Sequence, residues 1–193
     1  MESNGLNKGR SEIIILGSGC SSGVPSARCL LMPEDPPCYV CHNAIVGSAE
    51  SNPNYRCNTS LLIKFEDDSG QVNYIQIDVG KNFREQVLRW FTRYRIPYVN
   101  AFILTHEHAD AIFGLDDIRG IQPVNEFNLI EPTPVYLTQE SMESVAQKFS
   151  YLVQKTLKEG QEIRRVAQLD WRIISNKLGA SFEAAGLIFS PLP

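Results

Sequence analysis

The sequence predicts a single α/β domain, and three observations favour this fold class. Short apolar segments of strand-like composition recur along the chain, segments between them have helical periodicity, and turn-forming residues separate them. A length of 193 residues suits one domain with a sizeable core. Apolar and charged contents of 43% and 21% are ordinary for a globular protein. No internal repeat or linker divides residues 1–193, so we expect one unit.

Charge and apolar patterning exclude several classes of function. The formal net charge of −4 leaves no broad basic field, so the sequence carries no strong nucleic-acid signal. No apolar run approaches the ~18 residues of a membrane span, and we expect no membrane association. The polar N-terminal segment MESNGLNKGRSE resembles neither a secretory nor a mitochondrial presequence, so we expect a cytoplasmic protein.

The first half of the chain is predicted to contain three strands and one irregular excursion. Glu12–Leu16 is a short apolar strand that ends at a glycine-serine-glycine turn. Residues 20–57 form an insertion rich in cysteine and proline, which needs its own fastening to be ordered. Thr59–Phe65 and Val72–Asp78 have the composition of a hairpin's two strands, and the second alternates between apolar and polar residues.

The second half alternates predicted helices and strands. Lys81–Tyr94 carries apolar residues at helical spacing, and Ala101–Thr105 is a buried strand that follows it. Thr138 is placed to cap a long helix over Gln139–Leu157. Three further strands are predicted at Pro132–Leu137, Ile163–Ile174 and Ser181–Leu192.

Two of the chain's three histidines stand together directly after a predicted strand. Residues i and i+2 at a strand end project to the same side, so His106 and His108 could present both imidazoles to one ion. Asp110 could bring a carboxylate to the same region once the chain bends. Such ligands, with an open position, are typical of catalytic zinc. The alternative is two loop histidines beside a helix N-terminus that Asp110 caps, but the aspartate at this spacing favours the metal site.

Three motifs carry a resemblance to a known family. The sequence T-H-E-H-A-D followed by GLDDIR resembles the second motif of the metallo-β-lactamase-fold hydrolases. Ile75–Gly80 resembles their first motif, with Asp78 as the carboxylate that shapes the active site below the metals. Ile15–Pro25 is similar to the opening strand and loop of the branch that contains cyclic phosphodiesterases and tRNA 3′-processing nucleases. The resemblance implies an αββα sandwich, of which this chain carries the N-terminal portion only.

The same resemblance implies a function. It implies a metal-dependent hydrolase of phosphodiesterase type, in which a metal-activated water attacks a small phosphodiester substrate. His106 and His108 would hold the first metal, and Asp110 would hold the second and act in catalysis by orienting the water or taking its proton. Zinc is the expected cofactor, with manganese as the alternative.

The sequence departs from the family pattern in two places. Ala111 stands where the motif has a further histidine that ligates the second metal, so a second ion would bind weakly or use another ligand. No histidine follows Asp110, although the family takes further ligands from later in the chain. We therefore interpret the chain as a shortened form, incomplete at its C-terminus (a splice product or an incomplete gene model), which leaves its activity open. Exposed apolar sheet surface would then favour pairing with another chain, for example in a homodimer.

The cysteines predict a second metal site. All five lie between Cys20 and Cys57, an odd number that argues against a disulfide framework. Cys38 and Cys41 form a CxxC pair, Cys29 could be a third ligand, and His42 or Cys57 could complete a tetrahedral zinc site. The resembling phosphodiesterases carry a structural zinc in such an insertion. The alternative is a pair of free thiols in a surface loop.

Two rival functions remain open at this stage. The chain could be a non-catalytic zinc-binding or interaction protein that retains the N-terminal half of the fold. It could also hydrolyse a thioester or a lactone on the same fold. Metal content and phosphodiester turnover discriminate between the hydrolase and the non-catalytic protein.

Overall fold

A six-stranded mixed sheet forms the centre of the protein. The computed structural model describes residues 11–127, 129–153 and 166–192. The strands lie side by side in chain order, and the first three pair antiparallel while the third to the sixth pair parallel. The strands are β1 (Glu12–Gly17), β2 (Ser60–Glu66), β3 (Val72–Ile77), β4 (Ala101–Ile103), β5 (Thr133–Thr138) and β6 (Leu169–Ile174). This sheet confirms the predicted α/β class.

The insertion between β1 and β2 is fastened by buried asparagines. It contains the short helices α1 (Ala27–Leu31) and α2 (Tyr39–Ala44). The fully buried Asn58 donates its side-chain amide to the carbonyl oxygens of Cys20 and Ser21, both at 3.0 Å. Buried side-chain hydrogen bonds of this kind replace the regular ladder that an irregular segment lacks. The fastening expected for the insertion is therefore provided at least in part by buried polar contacts.

Helices cover one face of the sheet. A continuous helical segment comprises α3 (Phe83–Gln86), a π-helical turn (Val87–Phe91) and α4 (Thr92–Tyr94), as the spacing predicted. After β4 come α5 (Ala109–Ile112) and a 3₁₀ helix (Leu115–Ile121). Their apolar side chains pack with those of the sheet in one large core, which includes Leu16, Leu62, Phe83, Phe102, Ile112 and Leu137. Among the described residues, no helix has both the length and the apolar character needed to cross a membrane.

The helix predicted over Gln139–Leu157 is broken. Thr138 caps α6 (Gln139–Lys148) as expected, accepting a hydrogen bond from the Ser141 backbone N–H at 3.2 Å. Phe149 then leaves helical geometry, and its ring packs edge-on against Phe113 at 5.7 Å before α7 (Ser150–Val153) begins. This tertiary aromatic contact accompanies the break. Residues 154–157, and residues 163–165 of the strand predicted over Ile163–Ile174, lie outside the described residues.

A two-stranded hairpin lies against the other face of the sheet. The segment Ser181–Leu192 was predicted as one strand but forms β7 (Phe182–Ala184) and β8 (Leu187–Phe189). Ala185 and Gly186 form the turn between β7 and β8, and both have positive φ, of 46° and 85°. The hairpin covers this face in part, since Ile13 and Ile15 on β1 remain 68% and 56% exposed. The predicted homodimer stays a prediction.

Candidate metal centre

Three side chains after β4 converge on one point. His106 lies in the loop that follows the strand, His108 is the N-cap residue of α5, and Asp110 is in its first turn. One ligand atom from each residue lies within 4.8 Å of those from the other two, and His106 Nε2 is 3.9 Å from Asp110 Oδ1. The imidazole rings stand nearly perpendicular with centroids 5.0 Å apart. The two nitrogens and the carboxylate can therefore face a single cation.

Asp78 lies beneath this cluster at the end of β3. Its left-handed backbone, with φ of 60°, turns the chain towards the neighbouring loop. The Thr105 N–H donates to Asp78 Oδ1 at 2.8 Å, and the Thr105 hydroxyl donates to Oδ2 at 2.7 Å. Burial raises the pKa of Asp78, while the two hydrogen bonds from Thr105 act in the opposite direction. Asp78 thus holds the loop that carries the histidines.

The Thr105 hydroxyl connects Asp78 to His106. Thr105 Oγ1 is 2.9 Å from His106 Nδ1 as well as 2.7 Å from the carboxylate. A hydroxyl has one hydrogen to donate, so a Thr105 that donates to the carboxylate must accept from the Nδ1–H of His106. That tautomer leaves Nε2 unprotonated, with its lone pair free to bind a metal. Sequence reasoning assigned Thr105 no role, although it begins the T-H-E-H-A-D motif.

Close backbone approach sets the position of Asp110. A β-carbon on Gly80 would overlap the carbonyl oxygen of Asp110, so only glycine fits there. The Val79 N–H donates to the carbonyl oxygen of Ala111 at 2.7 Å, and the Gly114 N–H donates to the carbonyl oxygen of Val79 at 2.9 Å. Ala111 is 1% exposed and belongs to the large core. Its methyl group supplies packing where the resembling motif has a ligand.

A lysine from α6 reaches the loop between the two histidines. Lys148 Nζ donates to the carbonyl oxygen of Glu107 at 2.8 Å and to Ser144 Oγ at 2.7 Å. The Glu107 carboxylate lies beside the cluster, with Oε1 3.8 Å from Nε2 of His108. Lys148 was not predicted, because it stands 41 positions after Glu107 and no local pattern links the two residues.

A cleft of about 500 Å³ opens beside the cluster. Thr105, His106 and Glu107 line one side of it. The remaining wall is largely apolar and comes from the strands and the hairpin, with Ile77, Ile103, Phe182 and Phe189 among its residues. Clefts that combine a few polar groups with apolar walls are typical of small-molecule sites.

The cysteines predicted as zinc ligands also come together. Cys29 lies in α1, Cys38 is the N-cap residue of α2, and Cys41 lies within α2, with sulfur atoms within 4.8 Å of one another. The pKa of the Cys38 thiol is lowered, first by a hydrogen bond from the backbone of Cys41. Sharing a hydrogen bond with Cys41 raises the pKa of Cys29. Three thiols this close have the geometry of a metal site.

Neither proposed fourth ligand joins the three thiols. Cys57 is buried elsewhere, where burial and the nearby Glu85 raise its pKa to about 12. His42 follows Cys41 directly, and its Nε2 is buried without a hydrogen-bond partner in the described part of the chain. Its ring nitrogens lie outside the group of converging ligand atoms. Within the described residues, the candidate ligands at this cluster are therefore the three thiols alone.

Comparisons with known proteins identify a family and similar structures. A family model described as the beta-lactamase superfamily domain matches residues 73–193, which is more than half of the chain. A curated relative is the octanoyltransferase of Porphyromonas gingivalis (strain ATCC BAA-308 / W83), 32% identical over 179 residues. The match covers 93% of this chain and 30% of that protein.

Two solved structures extend the comparison. A new diphosphatase from the PhnP family superposes with a TM-score of 0.67 at 27% identity, over 95% of this chain and 57% of that one. Zn²⁺-bound PqqB from Methylobacterium extorquens superposes with a TM-score of 0.57 at 19% identity, over 90% of this chain and 48% of that one, which indicates a shared fold. The chain thus spans about half the length of these two structures and less than a third of the curated relative.

Proposed function

The chain belongs to the beta-lactamase superfamily, and on that premise we propose that it is a metal-dependent hydrolase of small phosphodiesters. The observation that carries the proposal is the convergence of His106, His108 and Asp110 within 4.8 Å. The similarity to a diphosphatase supports a phosphate ester as the substrate class. Because the chain spans 57% of that structure, activity and substrate belong to the proposal.

The donor set fits a zinc ion. His106 offers Nε2 in the tautomer that Thr105 selects, His108 offers a second imidazole, and Asp110 offers a carboxylate oxygen. Two imidazoles favour zinc over manganese, which prefers oxygen ligands. The buried methyl group of Ala111 leaves no ligand at the next position, so we propose one ion at this centre. Bound zinc would supply Lewis acidity and lower the pKa of a coordinated water to about 7.

Other steps of the proposed reaction are assigned to side chains around the metal centre. The side chain of Asp110 is 26% exposed, so water reaches its carboxylate. This carboxylate accepts a hydrogen bond from the attacking water, orients the water and takes a proton from it. Thr105 and Asp78 keep His106 in one orientation. Lys148 holds the carbonyl of Glu107 and thereby the spacing between the two histidines.

A structural zinc at the cysteines is a second part of the proposal. Cys29, Cys38 and Cys41 come from two helices of an insertion with little regular structure, and a shared ion would tie these helices together. The lowered pKa of Cys38 favours the thiolate, which is the form that binds metal. A solvent molecule or a further protein ligand would supply the fourth ligand of the ion.

Metal analysis and turnover of bis-p-nitrophenyl phosphate test both parts. We expect two zinc ions per chain, one lost in Cys38→Ser and the other lost when His106 and His108 are both changed to alanine. Asp110→Asn should lower turnover by about 100-fold or more. The control Asp68→Asn, in an exposed turn, should leave it unchanged.

The outcomes separate the candidate functions. Zinc that is bound at both sites with no phosphodiester turnover would refute the phosphodiesterase assignment. A single zinc, lost in Cys38→Ser, with no turnover would favour the rival, a non-catalytic zinc-binding or interaction protein. Turnover unchanged in Asp110→Asn would refute the catalytic role of that carboxylate.

Acyl ester or thioester hydrolysis is a second candidate. The observation that favours it is the apolar wall of the cleft beside His106, which would accept an alkyl chain. The octanoyltransferase name belongs to a protein of which this chain spans 30%, so it adds no transfer activity to the proposal. Turnover of p-nitrophenyl octanoate in excess of the phosphodiester rate, lost in Phe182→Ala, would select this candidate.

A further inference from the structure

A second groove lies away from the metal centre. Its volume is about 840 Å³, and it is lined by residues of the insertion, within 48–53, and by residues of the π-helical turn and α4, within 88–93. None of the histidine, aspartate or cysteine residues of the two candidate metal sites lines it. Turns of π-helix are rare and are found often at functional sites, and two arginines of this helical segment, Arg89 and Arg93, line the groove.

The first of these arginines, Arg89, has unused hydrogen-bonding capacity. Its guanidinium carbon lies 4.6 Å from the ring centroid of Trp90. The terminal nitrogens make only long hydrogen bonds, at 3.3 Å to the carbonyl of Tyr55 and at 3.5 Å to that of Glu50. Nε is buried and has no hydrogen-bond partner in the described part of the chain. A buried donor without a partner is costly, and such groups need an explanation.

The second arginine contacts the same indole ring. The guanidinium carbon of Arg93 lies 5.9 Å from the Trp90 centroid, and the Trp90 indole N–H donates to the carbonyl oxygen of Leu16 at 2.8 Å. The ring is therefore fixed, and both guanidinium groups lie against it, with their carbons 4.6 and 5.9 Å from its centroid. Two cations that share one ring repel each other, and a bound anion would relieve the repulsion.

No carboxylate neutralises the pair. Among residues 11–127, 129–153 and 166–192, no Asp or Glu oxygen lies within 4.0 Å of a nitrogen of Arg89 or Arg93. Glu50 is part of the groove lining, and Glu85 acts on Tyr55 beside Arg89, but neither forms an ion pair with an arginine. Within the described residues, the groove thus presents two arginines that form no ion pair, and Glu50 is the acidic residue of its lining.

We propose that this groove binds the phosphate group of a small ligand through Arg89 and Arg93. A planar guanidinium donates two parallel hydrogen bonds to phosphate oxygens, and the terminal nitrogens of Arg89 can exchange their long bonds of 3.3 and 3.5 Å for such bonds. Trp90 keeps both guanidinium groups in place, which lowers the cost of ordering them on binding. The site is independent of the metal centre and of the hydrolase proposal.

The indole N–H signals of the two tryptophans provide a local test. The chain contains only Trp90 and Trp171, so a ¹⁵N-labelled sample gives two indole cross-peaks, assigned with Trp171→Phe. Titration with inorganic phosphate, against sodium chloride at matched ionic strength, should shift the Trp90 peak to saturation and leave the Trp171 peak in place. Glycerol 3-phosphate in a parallel titration shows whether an ester binds better than free phosphate.

Variants decide whether the arginines are responsible. Arg93 is exposed, so Arg93→Gln should fold normally and weaken phosphate binding about tenfold. The control Arg95→Gln removes a nearby exposed charge outside the lining and should change binding by less than about twofold. The shift should persist when His106 and His108 are both changed to alanine.

Three results would overturn the proposal. The first is a Trp90 shift that sodium chloride reproduces, since this indicates screening alone. The second is saturation that is unchanged in Arg93→Gln. The third is the absence of any phosphate-dependent shift at millimolar concentrations.

Discussion

The hydroxyl of Thr105 offers the sharpest test of the metal centre. It lies 2.7 Å from Asp78 Oδ2 and 2.9 Å from His106 Nδ1, and it therefore sets the tautomer of the histidine. Thr105→Val replaces this hydroxyl by a methyl group of nearly the same shape. Thr105→Ser keeps the hydroxyl and removes the methyl group, which makes it the matched control.

The structure gives the size of the expected effect. A hydrogen bond to a charged group contributes roughly 1.5–3 kcal/mol to stability, but Thr105 is exposed and water can replace its hydroxyl. Asp78 also keeps the 2.8 Å bond from the Thr105 N–H. We therefore expect Thr105→Val to lower the free energy of unfolding by about 1 kcal/mol. Loss of the partner of a ligating histidine should weaken zinc binding about tenfold, the lower end of the usual range.

Two measurements check this prediction. Urea unfolding of the metal-free protein gives the change in stability, and competition with a chromophoric chelator gives the zinc affinity of the histidine site. A Cys38→Ser background removes the signal of the cysteine site. Zinc affinity in Thr105→Val equal to that of the parent would refute the proposed orientation of His106. Equal loss in Thr105→Ser would assign the effect to packing of the methyl group.

Two further predictions concern the close backbone contact at Gly80 and the buried thiol of Cys57. Gly80→Ala should destabilise the fold by about 3 kcal/mol in urea unfolding, because the added β-carbon overlaps the carbonyl oxygen of Asp110. The control is Gly120→Ala, where the added β-carbon meets nothing within 4 Å. Equal losses of stability in the two variants would contradict the close approach at Gly80. At pH 8 Cys57 should resist iodoacetamide because burial raises its pKa to about 12, whereas the exposed Cys20, whose pKa a serine hydroxyl lowers, should react. Folding raises the pKa of Cys57, so its contribution to stability is complete below about pH 8.5 and is lost as the pH rises towards 12. Rapid labelling of Cys57 in the folded protein at pH 8 would contradict the burial of its thiol.

Much of the fold was predictable from local pattern. Strands β1 to β5 are within two residues of their predicted bounds, because alternation and β-branched composition report one-sided or complete burial directly. The convergence of the two histidines with Asp110 was predicted from their spacing after a strand. The position of Asp78 beneath them was implied by the family resemblance, and the parallel pairing of β3 and β4 brings the two strand ends together.

Periodicity in the sequence predicts which residues are buried but not which residues they contact. This accounts for the two elements that were predicted incorrectly. The helix after Thr138 breaks where the Phe149 ring meets Phe113 on another segment. The last predicted strand is a hairpin because a short turn folds its apolar residues onto Tyr136.

By itself the sequence determined the α/β class, the strand order along the chain and the residue types that can hold metal. The tertiary structure alone decided that Thr105 orients His106, that Lys148 reaches the histidine loop, and that Cys57 is buried away from the other thiols. The physical reason is that hydrogen bonds and burial of single groups depend on contacts between segments far apart in the chain. Composition and spacing carry no record of those contacts.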